Sequence, residues 1–122
     1  MDTDLARVVA FILKHFLCDF PLQRAYQYRN KGIYGHPGGI LHAAIHGVGT
    51  LGVCFLAALP LWLAAVDTVI HYHVDWAKSQ VNDRLALKPD NDNFWNLLGI
   101  DQMAHYLTYI LLIYLGKLAL TY

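Results

Sequence analysis

Hydrophobic positions form four long segments along the chain, over residues 5–20, 40–59, 61–80 and 94–120. None of them shows the strict polar/apolar alternation of a half-buried strand, and most approach the length of about 20 residues that a helix needs to cross a membrane. The pattern therefore predicts an all-α protein. We expect a four-helix transmembrane bundle that forms one domain over residues 1–122.

Polar or helix-breaking stretches separate these segments. Residues 23–39 are rich in glycine and contain Pro37, which predicts a loop, and residues 81–93 carry enough charge to be solvated. Pro60 is expected to end the second segment, because proline cannot continue a helix without losing a backbone hydrogen bond.

Composition supports the membrane interpretation. Hydrophobic residues make up 57% of the chain and charged residues only 15%, against the ~25% charged residues of a typical soluble domain. Lysine plus arginine equals aspartate plus glutamate at nine each, which argues against nucleic-acid duplex as a partner. A soluble all-helical protein is the alternative, since the first and third segments are short and carry charges.

The distribution of basic residues predicts the orientation. Most Lys and Arg side chains fall in or near residues 23–39 and 78–88, whereas the other side has little beyond Arg7 and Lys117. Because basic loops stay in the cytoplasm, we expect a multi-pass protein of the inner membrane with both termini on the outer side. Membrane lipids are then its immediate partners, and a homo-oligomer is left open.

Each of the four segments carries one pair of chemically active side chains at a spacing of four. Residues at this spacing share a helix face, so both members of a pair can approach one metal ion. With the predicted orientation all four pairs fall at one level near the cytoplasmic end. The pairs are His15 with Asp19, His42 with His46, His71 with Asp75, and Asp101 with His105.

Polar groups in a membrane segment are costly, at least about 2.5 kcal/mol for a charged one, so these eight must face inward and find partners. Five imidazoles and three carboxylates suit two divalent cations, with zinc favoured and manganese or iron as alternatives. A metal-free polar network is the main alternative, and a haem would leave the aspartates unexplained. Cys18 is a further ligand candidate, and Asp67, four residues before His71, could orient that imidazole.

The order of these motifs resembles a small integral-membrane family of bacteria and phages, domain-of-unknown-function family 3307. The resemblance rests on the segments His15–Gln23, Asn30-Lys31, His42–His46, His71–Lys78 and Asp101–His105. It implies that four further polar residues belong with the eight ligands, namely Gln23, Lys31, Lys78 and Gln102.

Basic side chains around the expected mouth of the site favour an anionic substrate, and a metal pair suits phosphoryl displacement. We expect a metal-dependent hydrolase that acts on a phosphorylated lipid or nucleotide from the cytoplasmic side. One of Asp19, Asp75 or Asp101 would act as general base, and Lys31 or Lys78 would stabilise phosphate charge. The expected substrate-binding residues are Gln23, Arg24, Arg29, Lys31, Lys78 and Gln102.

Three other functions use the same residues. A metal-ion or proton transporter or channel would hold them along a pathway, although transporters bind near the bilayer midplane and these pairs crowd one end. Di-metal redox catalysis in helical bundles favours glutamate, which this chain lacks. A small membrane interaction protein with a structural metal is the third.

Overall fold

The computed structural model describes residues 3–122, so Met1 and Asp2 of the predicted domain lie outside the described residues. The described residues form five α-helices and no strand, which confirms the predicted all-α fold. Four helices are long and α2 is a single turn. Their bounds are α1 Thr3–Asp19, α2 Ala25–Tyr28, α3 Pro37–Leu56, α4 Leu63–Arg84 and α5 Asp92–Thr121.

The four long helices pack in a ring in which α1 contacts α3, α3 contacts α4, α4 contacts α5, and α5 returns to α1. At one end, Asp4 of α1 pairs with Lys117 of α5 at 2.5 Å, and Arg7 donates to the carbonyl of Ala57 at 3.2 Å. The start of α1, the end of α5 and the short α3–α4 connection therefore share this end. Successive long helices run in opposite directions, so residues 20–36 and 85–91 lie together at the other end.

The predicted segments coincide with the four long helices, with bounds that differ by up to four residues. The one-turn helix α2 was not predicted, since it lies within the glycine-rich stretch interpreted as a loop. That loop also ends earlier than predicted. Pro37 occupies the first turn of α3, where its missing N–H costs nothing, and the His36 side chain caps the helix by accepting from the backbone N–H of Gly38.

Helices α3 and α4 end in the same way, and not at a proline. Ala58 and Ala86 follow their ends with φ of 51° and 48°, in the left-handed region. The next residue then donates back across the last turn: Leu59 to Cys54 at 2.8 Å and Leu87 to Asn82 at 3.1 Å. Such bonds satisfy carbonyls that the helix end leaves free, so α3 ends before Pro60 because of this turn.

Two of the four long helices, α3 and α5, are long and apolar enough to cross a membrane. Helix α1 has only 17 residues, and α4 carries charged residues along its length. The predicted helical fold is therefore confirmed. Of the four predicted transmembrane helices, two are candidate membrane spans by length and composition.

The interior changes character along the bundle axis. Near the start of α1 and the end of α5 it is apolar and consists of Phe11, Cys54, Leu59, Leu63, Tyr109, Leu112 and Ile113. Towards the other end most buried side chains are polar, namely histidines, aspartates, Lys14, Gln27 and threonines. Between α3 and α4 the backbones approach closely at Gly47, where a Cβ would collide with the hydroxyl of Thr68. This close packing keeps the polar faces of α3 and α4 in register.

Candidate metal centre

The four predicted pairs meet inside the bundle. The second half of α1 and the first turns of α3 supply His15, Asp19, His42 and His46, while α4 and α5 supply His71, Asp75, Asp101 and His105. All except Asp19 are buried, and the Asp19 side chain is 11% exposed. Because successive long helices alternate in direction, the end of α1 lies level with the first halves of α3 and α5 and with the middle of α4.

Four of these residues form a compact group around the Asp19 carboxylate. Its Oδ1 atom lies 2.8 Å from Nε2 of His46 and 3.2 Å from Nε2 of His42. Nε2 of His71 lies 3.3 Å from Nε2 of His42. The ligand atoms of Asp19, His42, His46 and His71 all lie within 4.8 Å of one another, close enough to share one ion.

A second group contains His71, Asp75 and His105, again with ligand atoms within 4.8 Å of one another. The Asp75 carboxylate lies between the two imidazoles, 3.4 Å from Nε2 of His71 and 3.2 Å from Nε2 of His105. Its Oδ2 atom also reaches Nε2 of His42 at 3.2 Å. His71 belongs to both groups, so the two candidate sites are adjacent and share one imidazole.

His15 lies in the cluster but outside both groups. The Tyr109 hydroxyl accepts from Lys14 at 3.2 Å, so its hydrogen is free to point at Nδ1 of His15, 2.7 Å away. The His15 Nε2–H then faces two acceptors, Oδ2 of Asp19 at 3.1 Å and Oε1 of Gln102 at 2.9 Å. This imidazole is arranged to donate to the carboxylate that the first group shares.

Asp101 also lies outside both groups. Its Oδ1 atom is 3.4 Å from Nε2 of His105 but has no hydrogen-bond partner among residues 3–122, although it is buried. A buried carboxylate oxygen without a hydrogen bond is unusual and indicates a place for a donor or a cation that is not part of the chain.

Gln27, on the short helix α2, orients one ligand from behind. Its side-chain N–H donates to the carbonyl of Leu22 at 3.0 Å, which leaves Oε1 to accept from Nδ1 of His42 at 3.1 Å. With the hydrogen on Nδ1, the lone pair of His42 Nε2 points into the cluster. This is the arrangement that a metal-binding imidazole requires.

Lys14 lies behind the centre, only 5% exposed. Its Nζ donates to Oδ2 of Asp67 at 3.0 Å and lies 3.4 Å from Nδ1 of His46. Thr50 donates to the same Asp67 oxygen at 2.5 Å. These residues and Tyr109 form a buried charged layer between the centre and the apolar interior.

The suggested role of Asp67 as a partner of His71 is wrong in this structure. The Asp67 carboxylate accepts from Lys14 and Thr50, and Nδ1 of His71 has no hydrogen-bond partner among the described residues. Asp67 lies one turn from His71 on the same face, but the ammonium of Lys14 is the stronger attraction for its charge. Cys18 belongs to neither ligand group, and its thiol contacts the carbonyl of Ile45 at 3.8 Å.

A cavity of about 470 Å³ opens beside the centre at the end formed by residues 20–36 and 85–91. Asp19 and Asp101 form part of its wall, so the cavity reaches the cluster. It collects five of the six predicted substrate-binding residues, Gln23, Arg29, Lys31, Lys78 and Gln102. The sixth, Arg24, is exposed at the start of α2 and does not line the cavity.

The basic side chains of the cavity differ in their partners. Lys31 connects the cavity to the centre, because its Nζ donates to Gln23 at 3.1 Å and to Oδ2 of Asp75 at 3.2 Å. Lys78 and Arg29 form no ion pair with any residue in the described part of the chain. The guanidinium of Arg29 lies over the Tyr28 ring, 5.9 Å from its centroid. Two cationic groups therefore face the cavity without a carboxylate partner.

Sequence reasoning missed Lys14, Gln27, Thr50 and Tyr109. A signal existed for two of them, since Thr50 and Tyr109 each follow a ligand histidine, His46 and His105, by four residues. Extending the spacing by another helical turn would have placed both on the inward face.

These features define a class: a small helical protein with a buried histidine–aspartate centre that opens into a cavity lined by charged side chains of both signs. The family model described as "Protein of unknown function (DUF3307)" matches residues 8–121, and the chain belongs to that family. No curated protein and no solved structure matches the chain.

Proposed function

We propose that this protein is a membrane-embedded, two-metal hydrolase that cleaves a phosphorylated lipid or nucleotide from the cytoplasmic side. The observation that carries the proposal is the pair of ligand groups that share His71, beside a cavity in which Lys78 and Arg29 form no ion pair with any described residue. Two adjacent cations suit hydrolysis of a phosphate ester, because they can hold the attacking and the leaving oxygen together.

The distribution of polarity supports a membrane location. Histidines, aspartates and Lys14 occupy the interior, whereas large apolar side chains are exposed along the helices, such as Phe55 at 75% and Val48 at 70%. A water-soluble bundle has the opposite arrangement. We infer that all four long helices lie in the membrane, with the polar faces of α1 and α4 turned away from lipid. The basic end, with Lys31, Lys78 and Arg84, then faces the cytoplasm.

The donor set supports metal binding. The Nε2 atoms of His42 and His71 face each other at 3.3 Å, and Nδ1 of His42 is held by Gln27. A cation held at these atoms would lie between the imidazole nitrogens and the carboxylate oxygens of Asp19 and Asp75 that approach them. Imidazole and carboxylate ligands suit zinc, with manganese and iron as alternatives.

The cavity supports an anionic substrate. Lys78 and Arg29 would hold the phosphate, while Lys31 would stabilise charge next to Asp75. A water oxygen attacks phosphorus, the bond from phosphorus to the alcohol oxygen breaks, and a proton from the water passes to that alcohol. Asp101 is the best placed general base, because it lines the cavity and its buried Oδ1 atom has no hydrogen bond among the described residues.

A channel or transporter is less well supported. The polar interior ends at the apolar cluster of Phe11, Leu63 and Leu112, each 0% exposed. An ion would have to cross this cluster to leave at the other end, and such a passage is expensive without polar partners. A purely structural metal would not need Lys78 and Arg29 to remain unpaired beside it.

The test combines metal analysis with an activity measurement on detergent-purified protein. We expect about two equivalents of zinc, manganese or iron per chain, about one in His42→Ala, and no change in the exposed control His73→Ala. Metal-dependent release of inorganic phosphate from phosphate esters should accompany the metal. Lys78→Met should raise KM about tenfold or more, whereas Lys117→Met, at the other end of the bundle, should not. Folded wild-type protein without metal would contradict the proposal.

A further inference from the structure

The cavity beside the centre has two kinds of wall. On the side of α4 and of residues 28–32 it presents Lys78, Lys31 and Arg29. On the side where the end of α1 meets the start of α5 it presents the apolar side chains of Phe20 and Leu98 next to the polar side chains of Asp19, Asp101 and Gln102. A ligand that fills the cavity therefore meets cationic groups at one side and, at Phe20 and Leu98, a hydrocarbon surface at the other.

The apolar wall continues down the outside of the bundle. The Phe20 ring stacks on Phe16 with centroids 5.4 Å apart, and both side chains are more than half exposed, 64% and 53%. On α5, the Tyr106 ring lies 5.4 Å from His15 of α1, which places Tyr106 at the α1–α5 contact. Phe20 and Leu98 at the cavity and Tyr106 further along α5 therefore supply large side chains beside the seam between α1 and α5.

We propose, building on the hydrolase function above, that the substrate is a lipid phosphate. Its phosphomonoester headgroup would bind between Lys78, Arg29 and the centre. Its hydrocarbon chain would leave past Phe20 and Leu98 and lie along the α1–α5 seam in the membrane. Hydrolysis then adds water across the bond between phosphorus and the lipid oxygen, which yields a lipid alcohol and inorganic phosphate.

Lipid fits this cavity better than a nucleotide. A nucleotide needs an aromatic face for its base. Tyr28 is the cavity residue with a broad ring besides Phe20, and the Arg29 guanidinium already lies over it. The Phe20 and Leu98 wall offers no polar side-chain atom, and it opens where a membrane would supply hydrocarbon.

The experiment compares substrates that share one phosphomonoester and differ in chain length. Release of inorganic phosphate would be measured for ethyl, octyl and hexadecyl phosphate in the same detergent micelles, and for adenosine monophosphate. We expect kcat/KM to be at least about tenfold higher for hexadecyl than for ethyl phosphate, because each buried methylene adds favourable contact. Adenosine monophosphate should be no better than ethyl phosphate.

A matched pair of variants tests the proposed route of the chain. Phe20→Gln should reduce the ratio of kcat/KM for hexadecyl to ethyl phosphate by about fivefold or more, because it removes apolar wall at the exit of the cavity. Phe55→Gln changes an equally exposed phenylalanine at the end of α3 distant from the cavity and should leave this ratio unchanged.

The outcomes separate this inference from the function on which it rests. Equal turnover of ethyl, hexadecyl and adenosine phosphates would overturn the lipid assignment and leave a general phosphohydrolase. If no ester releases phosphate, titration calorimetry with hexadecylphosphonate shows whether the protein has a lipid-phosphate binding site. Binding that weakens in Phe20→Gln and in Lys78→Met would support a lipid-phosphate site without hydrolase activity, and binding unaffected by both would overturn the site.

Discussion

The two halves of the bundle use the same four helices for opposite purposes. In the half near the termini, Phe11, Leu63 and Leu112 pack into a dry interior. In the other half the same helices bury His42, His71 and Asp75. Apolar burial stabilises the fold directly, whereas each buried imidazole or carboxylate costs free energy until it finds a partner.

The difference shows that stability and chemistry are separated along the bundle axis. The layer of Lys14, Asp67, Thr50 and Tyr109 lies at the boundary, where it satisfies polar atoms that would otherwise face the apolar half. A substitution in one half should therefore leave the property of the other half nearly intact.

The largest effect is expected at the histidine that both ligand groups share. His71→Ala should lose both metal ions and all activity, whereas His105→Ala, which affects only the three-residue group, should retain about one ion. Elemental analysis of the purified variants measures this. Equal metal content in the two variants would show that the groups do not share His71.

The next effect concerns the buried ion pair at the boundary. Lys14→Met leaves the Asp67 carboxylate buried without its cation and should lower the free energy of unfolding by about 3–5 kcal/mol. The double variant Lys14→Met/Asp67→Leu should recover most of this loss. Unfolding in detergent by heat or denaturant measures both.

The control for that pair is the exposed ion pair at the other end. Lys117→Met removes the partner of Asp4 on the surface and should leave the unfolding temperature almost unchanged, because water replaces the lost interaction. If Lys14→Met also left the unfolding temperature unchanged, the charged layer would not be a structural boundary between the two halves.

A smaller loss of stability is expected for a substitution in the apolar half. Leu112→Ala, at a side chain that is 0% exposed, should destabilise the protein by about 3 kcal/mol while the folded fraction keeps its metal. Leu111→Ala, one residue earlier and 44% exposed, should cost much less. Loss of metal from folded Leu112→Ala protein would break the proposed independence of the halves.

The smallest expected effect is a gain in stability at the α3–α4 turn. Ala58 has a φ of 51°, where a Cβ is strained, so Ala58→Gly should stabilise the α3–α4 turn by up to about 1 kcal/mol. Ala57→Gly is the matched control, since Ala57 has an ordinary φ of −94° and gains nothing from glycine. Unfolding midpoints of the two variants should shift in opposite directions.

The position of the centre could be predicted from the sequence because helix geometry is regular. Four pairs at a spacing of four must each occupy one helix face, and antiparallel helices with short connections bring those faces to one level. This reasoning placed His42, His71 and His105 together correctly. It needed no knowledge of side-chain contacts.

The rest depends on long-range contacts that no local pattern encodes. The pairing of Lys14 with Asp67 joins positions 53 residues apart, and the Tyr109 hydroxyl reaches Lys14 across 95 residues. The split of eight candidates into two groups, with His15 and Asp101 outside, also depends on rotamers and tautomers. Helix α2 could not be predicted within the glycine-rich stretch, because one helical turn is too short to show a periodic pattern of hydrophobic residues.

The Gln27 amide links the peptide segment outside the bundle to the His42 imidazole inside it through hydrogen bonds. One amide holds the carbonyl of Leu22 and Nδ1 of His42, so a ligand that fixes this imidazole also fixes the segment from Leu22 to Tyr28. We expect a protease that cuts after Arg24 or Arg29 to work more slowly on cation-loaded protein. The rate at which a protease cuts these surface peptide bonds would then show whether a cation is bound in the interior.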